Sequence, residues 1–155
     1  MKRKPWKTYL WTILPTIAGG ALAGLLSGSG AGYPELIKPP ASPPGWLFPA
    51  VWSVLYLLMA IGLAMVINTE PAAAGGAIRI YARQLLINYL WPFFFFRWGM
   101  RGFAALWLLL LIALAMAMTL RFERTSPKAS YLQIPYLIWL CFAAYLNIAI
   151  WLLNR

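Results

Sequence analysis

An all-α integral membrane protein, built as a five transmembrane helix bundle, is the fold this sequence predicts, on three observations. Of its 155 residues 63% are hydrophobic and 10% charged, with a mean hydropathy of +0.72, whereas about 25% of a soluble domain is charged. Five apolar segments punctuate the chain. The thirteen Lys and Arg, set against three acids, stand singly or in pairs at the ends of those segments and form no basic stripe. That placement suits phosphate headgroups, so the net charge of +10 points to the lipid bilayer and away from nucleic acid.

The first helix is expected over residues 8–27. Its charge-free run from Tyr9 to Leu26 follows MKRKPWK and precedes SGSGAG, the layout of a secretory signal, but the run is long for one and reads as a span. The second, over 46–68, is uncharged from Leu47 to Ile67. The third is the weakest. Gln84 to Phe96 is short alone, and a span over 78–97 requires Arg79 and Arg83 to snorkel to the interface. The fourth, over 101–121, carries ALWLLLLIALAMAM, and the fifth covers 130–153. Each reaches the ~20 residues that cross a hydrocarbon core at ~1.5 Å per residue. A long first loop, 28–45, and three short connections leave a single membrane domain over 1–155.

Charge sets the expected orientation. Lys2, Arg3, Lys4, Lys7, Arg79, Arg83, Arg121, Arg124 and Lys128 fall on one side, against Lys38, Arg97, Arg101 and Arg155 on the other. The positive-inside rule then puts the N-terminus in the cytoplasm and the first loop outside. In that loop Pro39, Pro40, Pro43 and Pro44 pre-set φ and lower the entropy of an ordered cover, while Pro49 falls in the first turn of the second helix, where its missing N–H costs nothing.

The chemistry is bounded by what is missing. Glu35, Glu70 and Glu123 are the only carboxylates and all sit in loops, so a proton-coupled carrier lacks groups at membrane depth. There is no histidine, and Cys141 is the only cysteine, which excludes an intrachain disulfide and a His/Cys metal site. No conventional catalytic set is present. The glycine-rich GSGAG at 28–32 follows a span and opens no strand-to-helix turn, so it reads as a loop.

Aromatic and amide groups remain. Trp52, Tyr56 and Met59 share one helical face, Gln84, Asn88 and Trp91 a second, and Tyr136, Trp139, Phe142, Ala143, Leu146 and Asn147 a third. Two readings are open: aromatics fill the bundle while amides make interhelical hydrogen bonds worth ~1 kcal/mol, or the faces line a pocket for a flat, mostly apolar ligand. Pro92 cannot donate to the carbonyl of Asn88, so that carbonyl and the Asn88 side chain are expected to present unsatisfied polar atoms. By ~1.5 Å per residue Trp52 lies ~9 Å below Trp46 and Asn88 ~13 Å below Arg97, with Trp139 deeper. In the first helix Gly20, Gly24 and Gly28 form a small-residue stripe suited to intrachain packing or a homodimer seam.

Three segments, KPPASPPGWLFPAVWSVLYLLMAIG, QLLINYLWPFFFF and PYLIWLCFAAYLNIAIWLLN, resemble in order and spacing the signature segments of the TspO/MBR family of translocator and tryptophan-rich sensory proteins. The resemblance implies a five-helix bundle, often dimeric, in the cell membrane of a bacterium. It also implies a pocket beneath the first loop that binds porphyrins and, in some members, sterols or synthetic benzodiazepine-type ligands. By matching motif, Trp52 and Trp139 would contact the ligand, with Asn88 and Trp91 from the third helix. Ala143, Leu146 and Asn147 would come from the fifth, and Tyr33 and Lys38 from the covering loop. Porphyrin would be ligand or substrate, with no obligatory cofactor and no metal. Some bacterial members degrade protoporphyrin IX in light, which would give Trp52 and Trp139 a photochemical role; a sterol or lipid transporter is the other alternative. Two positions depart from the pattern. Ala41 stands where the family usually has Trp, and no Tyr lies between Leu146 and Arg155 to complete a sterol motif.

Overall fold

The computed structural model describes residues 5–30, 32–72 and 74–155; Lys2, Arg3 and Lys4 of the charge pattern lie outside them. The described residues form α1 (Pro5–Ser27), α2 (Leu47–Thr69), α3 (Ala74–Pro92), α4 (Arg101–Glu123), the short α5 (Pro127–Tyr131) and α6 (Ile134–Leu153), with no strand among them. Among the described residues four stretches are long and apolar enough to cross a membrane: α1, α2, α4 and the combined Pro127–Leu153. The third helix, which carries exposed Arg79 and Arg83, is not one of them.

Proline accounts for two departures from the expected boundaries. Pro92 has no N–H to give the ladder, and α3 continues beyond it as a π-helical turn, Phe93–Arg97, with the Trp98 N–H donating to Phe93 O at 2.9 Å. The helix expected over 130–153 is instead two, because Pro135 cannot donate to the carbonyl of Tyr131 four residues back and the chain breaks at Leu132 and Gln133. The third helix also starts at Ala74, a turn before the expected 78. Its first turn, AGGA, is too small and apolar-poor to register in a hydropathy pattern.

The helices alternate in direction. Arg121 at the end of α4 lies over Gly76 at the start of α3, while Arg97 donates to the carbonyl of Leu26 at the opposite end. The described members of the two basic clusters therefore occupy opposite ends of the bundle. The closest pairings are α1 on α2, α3 on α4 and α4 on α6, whereas α2 and α6 meet only sparsely. Met59, Leu108, Leu111, Met118, Phe122, Tyr136 and Leu140 are buried at the centre.

The glycine stripe of α1 divides three ways. A Cβ on Gly20 would collide with the Tyr56 ring, so Gly20 is what lets α2 approach. Gly24 faces open space, with only Ser29 Oγ at 4.0 Å. Gly28 lies beyond the helix at φ +67°, where it ends α1 in the left-handed conformation that glycine adopts without strain. One continuous seam through all three is not formed.

Candidate functional site

Between α2, α3 and α6 the buried polar side chains join in one chain. Tyr56 OH donates to Asn88 Oδ1 at 2.8 Å, Asn88 Nδ2 donates to Tyr136 OH at 2.9 Å, and Tyr136 OH donates to Gln84 Oε1 at 2.8 Å. The Gln84 amide nitrogen faces Met59 Sδ at 3.8 Å. These bonds satisfy groups that would otherwise be costly to bury. They also correct the expectation for Asn88, whose side chain is engaged at both ends by tyrosines of the two facing helices and presents no free polar atom. Helix spacing places Asn88 on a face; it does not reveal which hydroxyls arrive opposite.

Above this chain the sparse α2–α6 junction is filled by rings. Trp52 packs 5.4 Å from Tyr56 and 6.2 Å from Tyr136, and Phe48 lies 6.0 Å from Trp139, which in turn lies 5.5 Å from Phe142. Trp52 and Trp139 thus both lie in the α2–α6 seam, each against a ring of the facing helix and not stacked on each other. The Trp139 indole N–H is buried and has no acceptor. Trp139 is also not the deeper of the two tryptophans, as residue counting implied. Its partner Phe48 is the second residue of α2, while α6 continues a further ~21 Å to Leu153, rising past the outer end of α2.

The first loop leans on that upper part of α6. Asn154 clasps the backbone of Ile37, accepting from its N–H at 3.0 Å and donating to its C=O at 2.9 Å, and Tyr145 OH donates to Pro40 O at 3.1 Å. Tyr33 is buried under the loop, packs edge-on to Phe48 at 5.3 Å and donates to Pro43 O at 3.3 Å. Burial raises the Tyr33 hydroxyl pKa above its ordinary value, partly offset by Ser42. Lys38 is folded back, donating to the carbonyls of Pro34 and Leu36, with its ammonium 5.2 Å from the Tyr33 ring centre. Ala41 holds φ +64°, a strained conformation for a non-glycine residue.

Beneath the loop, Tyr33, Trp91, Ala143, Leu146 and Asn147 line a cavity of about 20 Å³ together with Phe48, Phe95, Phe96 and Ile150. That volume holds roughly one water. Trp91 stacks on Phe95 at 5.1 Å, and its indole N–H donates to Asn147 Oδ1 at 3.0 Å, while Asn147 Nδ2 donates to Arg101 O at 2.8 Å. The opening expected under the loop is therefore filled by the aromatic side chains themselves. Phe48 was detectable, since it precedes Trp52 by one turn on the same face. Phe95 and Phe96 were not, because the π-turn after Pro92 shifts the register in which faces are counted. Arg101 adds a second orphan donor, a buried Nε without a partner.

The chain matches the model of the TspO/MBR family over residues 11–152. It is 35% identical to a translocator protein of Bos taurus across 97% of this chain and 92% of that protein. It is 36% identical to a tryptophan-rich sensory protein of Cereibacter sphaeroides across 96% and 92%. To a tryptophan-rich protein TspO of Chlorobaculum tepidum it is 36% identical, across 79% and 78%. With apolar helices in the expected order and all three signature segments converging beneath one loop, this chain belongs to the TspO/MBR family of membrane proteins.

Proposed function

We propose that the protein is a membrane receptor for tetrapyrroles of the protoporphyrin IX type, binding the ring in the α2–α6 seam under the first loop. The observation that carries this reading is the seam itself. Two helices that scarcely touch are held apart by Phe48, Trp52, Tyr136 and Trp139, so rotating rings can admit a flat ligand without prising apart close-packed backbones. The unpartnered Trp139 N–H supplies a donor to a ligand acceptor, and the orphan Arg101 Nε supplies one to a carboxylate. Lys38 and Arg97 already donate to backbone carbonyls, which leaves Arg101 as the favoured partner for a propionate. With the cavity at about 20 Å³, entry requires the loop and the seam side chains to move.

The experiment is a titration of protoporphyrin IX in the dark, read by tryptophan quenching and the shift of porphyrin absorption. Both signals should saturate in the wild type and be lost in the Trp52→Phe, Trp139→Phe double variant. Saturable binding that survives the double substitution refutes the seam as the site. The same reading takes α3 and its π-turn as a fifth span, with Arg79 and Arg83 at the cytoplasmic interface and the covering loop outside. Cysteine-accessibility labelling at Ser42 and the exposed Lys128, with the exposed Cys141 replaced by Ser, checks this, since only Ser42→Cys should react with an impermeant reagent applied from outside. A homodimer is part of the proposal as well, through the open face at Gly24, and Gly24→Leu should yield monomers.

A further inference from the structure

A groove of about 1040 Å³ lies well away from the aromatic seam, between α1, α2 and α3. Lys7 stands at one end and Tyr89 at the other, and Trp11 and Ala82, both exposed, form its open edge. Its length follows from the helix that forms one wall: Lys7 to Thr16 is ~13 Å of helix rise, close to half of a ~30 Å hydrocarbon core. The groove therefore runs from the headgroup level to the middle of the membrane, where the Tyr89 ring against Gly19 closes it.

Beyond Thr8, which lies beside Lys7 at the mouth, the hydroxyls of the wall are already engaged. Thr12 Oγ1 donates to Tyr9 O, Thr16 Oγ1 donates to Thr12 O and pairs with Tyr81 OH at 2.7 Å, and Tyr89 OH donates to Thr16 O at 2.6 Å. No hydroxyl among these is left seeking a partner, so the interior favours hydrocarbon. The mouth is different. Lys7 carries a positive charge there, no acid lines the groove, and exposed Arg79 and Arg83 sit in the same turns of α3 that form its wall. An apolar trough of half-bilayer depth with a cation at the headgroup end is complementary to one kind of molecule in a membrane.

We propose that this groove is a second binding site, which takes an acyl chain of an anionic phospholipid and holds its phosphate at Lys7. The site is independent of the tetrapyrrole reading. The full-length protein, loaded with dioleoyl-phosphatidylglycerol or dioleoyl-phosphatidylcholine in equal amounts and then stripped with detergent, is examined by native mass spectrometry for retained lipid. The wild type should retain phosphatidylglycerol about five-fold more than phosphatidylcholine, the preference that one surface lysine provides. Lys7→Gln should keep a bound lipid but lose the preference. Ala82→Trp, which fills the open edge from an exposed position, should lose retention of both lipids while leaving the oligomeric size and the protoporphyrin titration unchanged.

Equal retention of the two lipids by the wild type, or an undiminished preference in Lys7→Gln, overturns the proposal. A shift of Ala82→Trp to a smaller oligomer overturns it too, because the groove would then be occupied by a second copy. Loss of porphyrin binding in Ala82→Trp would likewise overturn it, assigning the groove to the ring.

Discussion

Asn154→Ala should unfasten the covering loop without unfolding the bundle. The Asn154 amide makes the two bonds that tie Ile37 to the end of α6, at 3.0 and 2.9 Å, and both are solvent-exposed. A net contribution of ~0.5–1.5 kcal/mol per hydrogen bond gives about 1–3 kcal/mol for the pair. At tenfold per ~1.4 kcal/mol, the open loop becomes about 5- to 150-fold more populated. Amide hydrogen exchange of the segment from Tyr33 to Ser42 reads that population directly when opening is fast compared with exchange. Asn154→Asp retains the acceptor for the Ile37 N–H but loses the donor to Ile37 O, so its exchange should fall between wild type and alanine. Porphyrin association should quicken in the same order. Unchanged exchange at Ile37 in Asn154→Ala would refute the reasoning, because the loop would then be held by Tyr33, the prolines and the Tyr145 bond to Pro40.

Other outcomes follow from the same geometry. Asn88→Leu removes the bonds to Tyr56 and Tyr136 and should lower thermal stability in detergent by about 1–3 kcal/mol, at ~0.6–1.7 kcal/mol per interhelical bond. Gly20→Leu drives a side chain into the Tyr56 ring and should cost about 1–3 kcal/mol by overpacking, whereas Gly24→Leu, which meets only Ser29 Oγ at 4.0 Å, should cause no such overpacking within one protomer. Raising pH above 10 should loosen the loop. Desolvation holds the Tyr33 pKa above its unfolded value, so the native state binds more protons there and stability falls as pH rises, the hydrogen bond to Pro43 being lost with the proton. Tyr33→Phe should remove this alkaline step in exchange rates.

The helices were legible because apolar runs and proline positions act locally. Hydropathy alone places α2 and α4 within two residues of their ends. The π-turn and the break before α6 depend on which carbonyl a proline deprives, and that is visible only once the neighbouring helices fix how the backbone recovers. The site was legible as faces. Trp52 with Tyr56, and Tyr136 with Trp139, each show the spacing of one helical face, but that the two faces meet, and that Trp139 sits level with Phe48, depended on α6 rising past α2, which no count along one helix contains. Asn88 failed for a related reason: an amide at depth signals a partner, and whether the partner is a ligand or two tyrosines is decided across helices. Asn154, lying after the last apolar residues, carried no pattern at all.

The hydrogen-bonded chain through Asn88 has a direction, and that direction is set from one end. Met59 sulfur can only accept, so it turns the Gln84 nitrogen toward itself and the oxygen toward Tyr136. Each later group is then forced in turn, until the Tyr56 proton points into Asn88. Replacing the thioether by Leu would remove the constraint. Both amides could then rotate, and the reversed order of protons, in which Tyr56 holds its hydrogen free beside Trp52 at the floor of the seam, would become accessible alongside the first. A methionine in the middle of the core thus biases the surface a ligand meets at Tyr56 toward an acceptor and away from a donor.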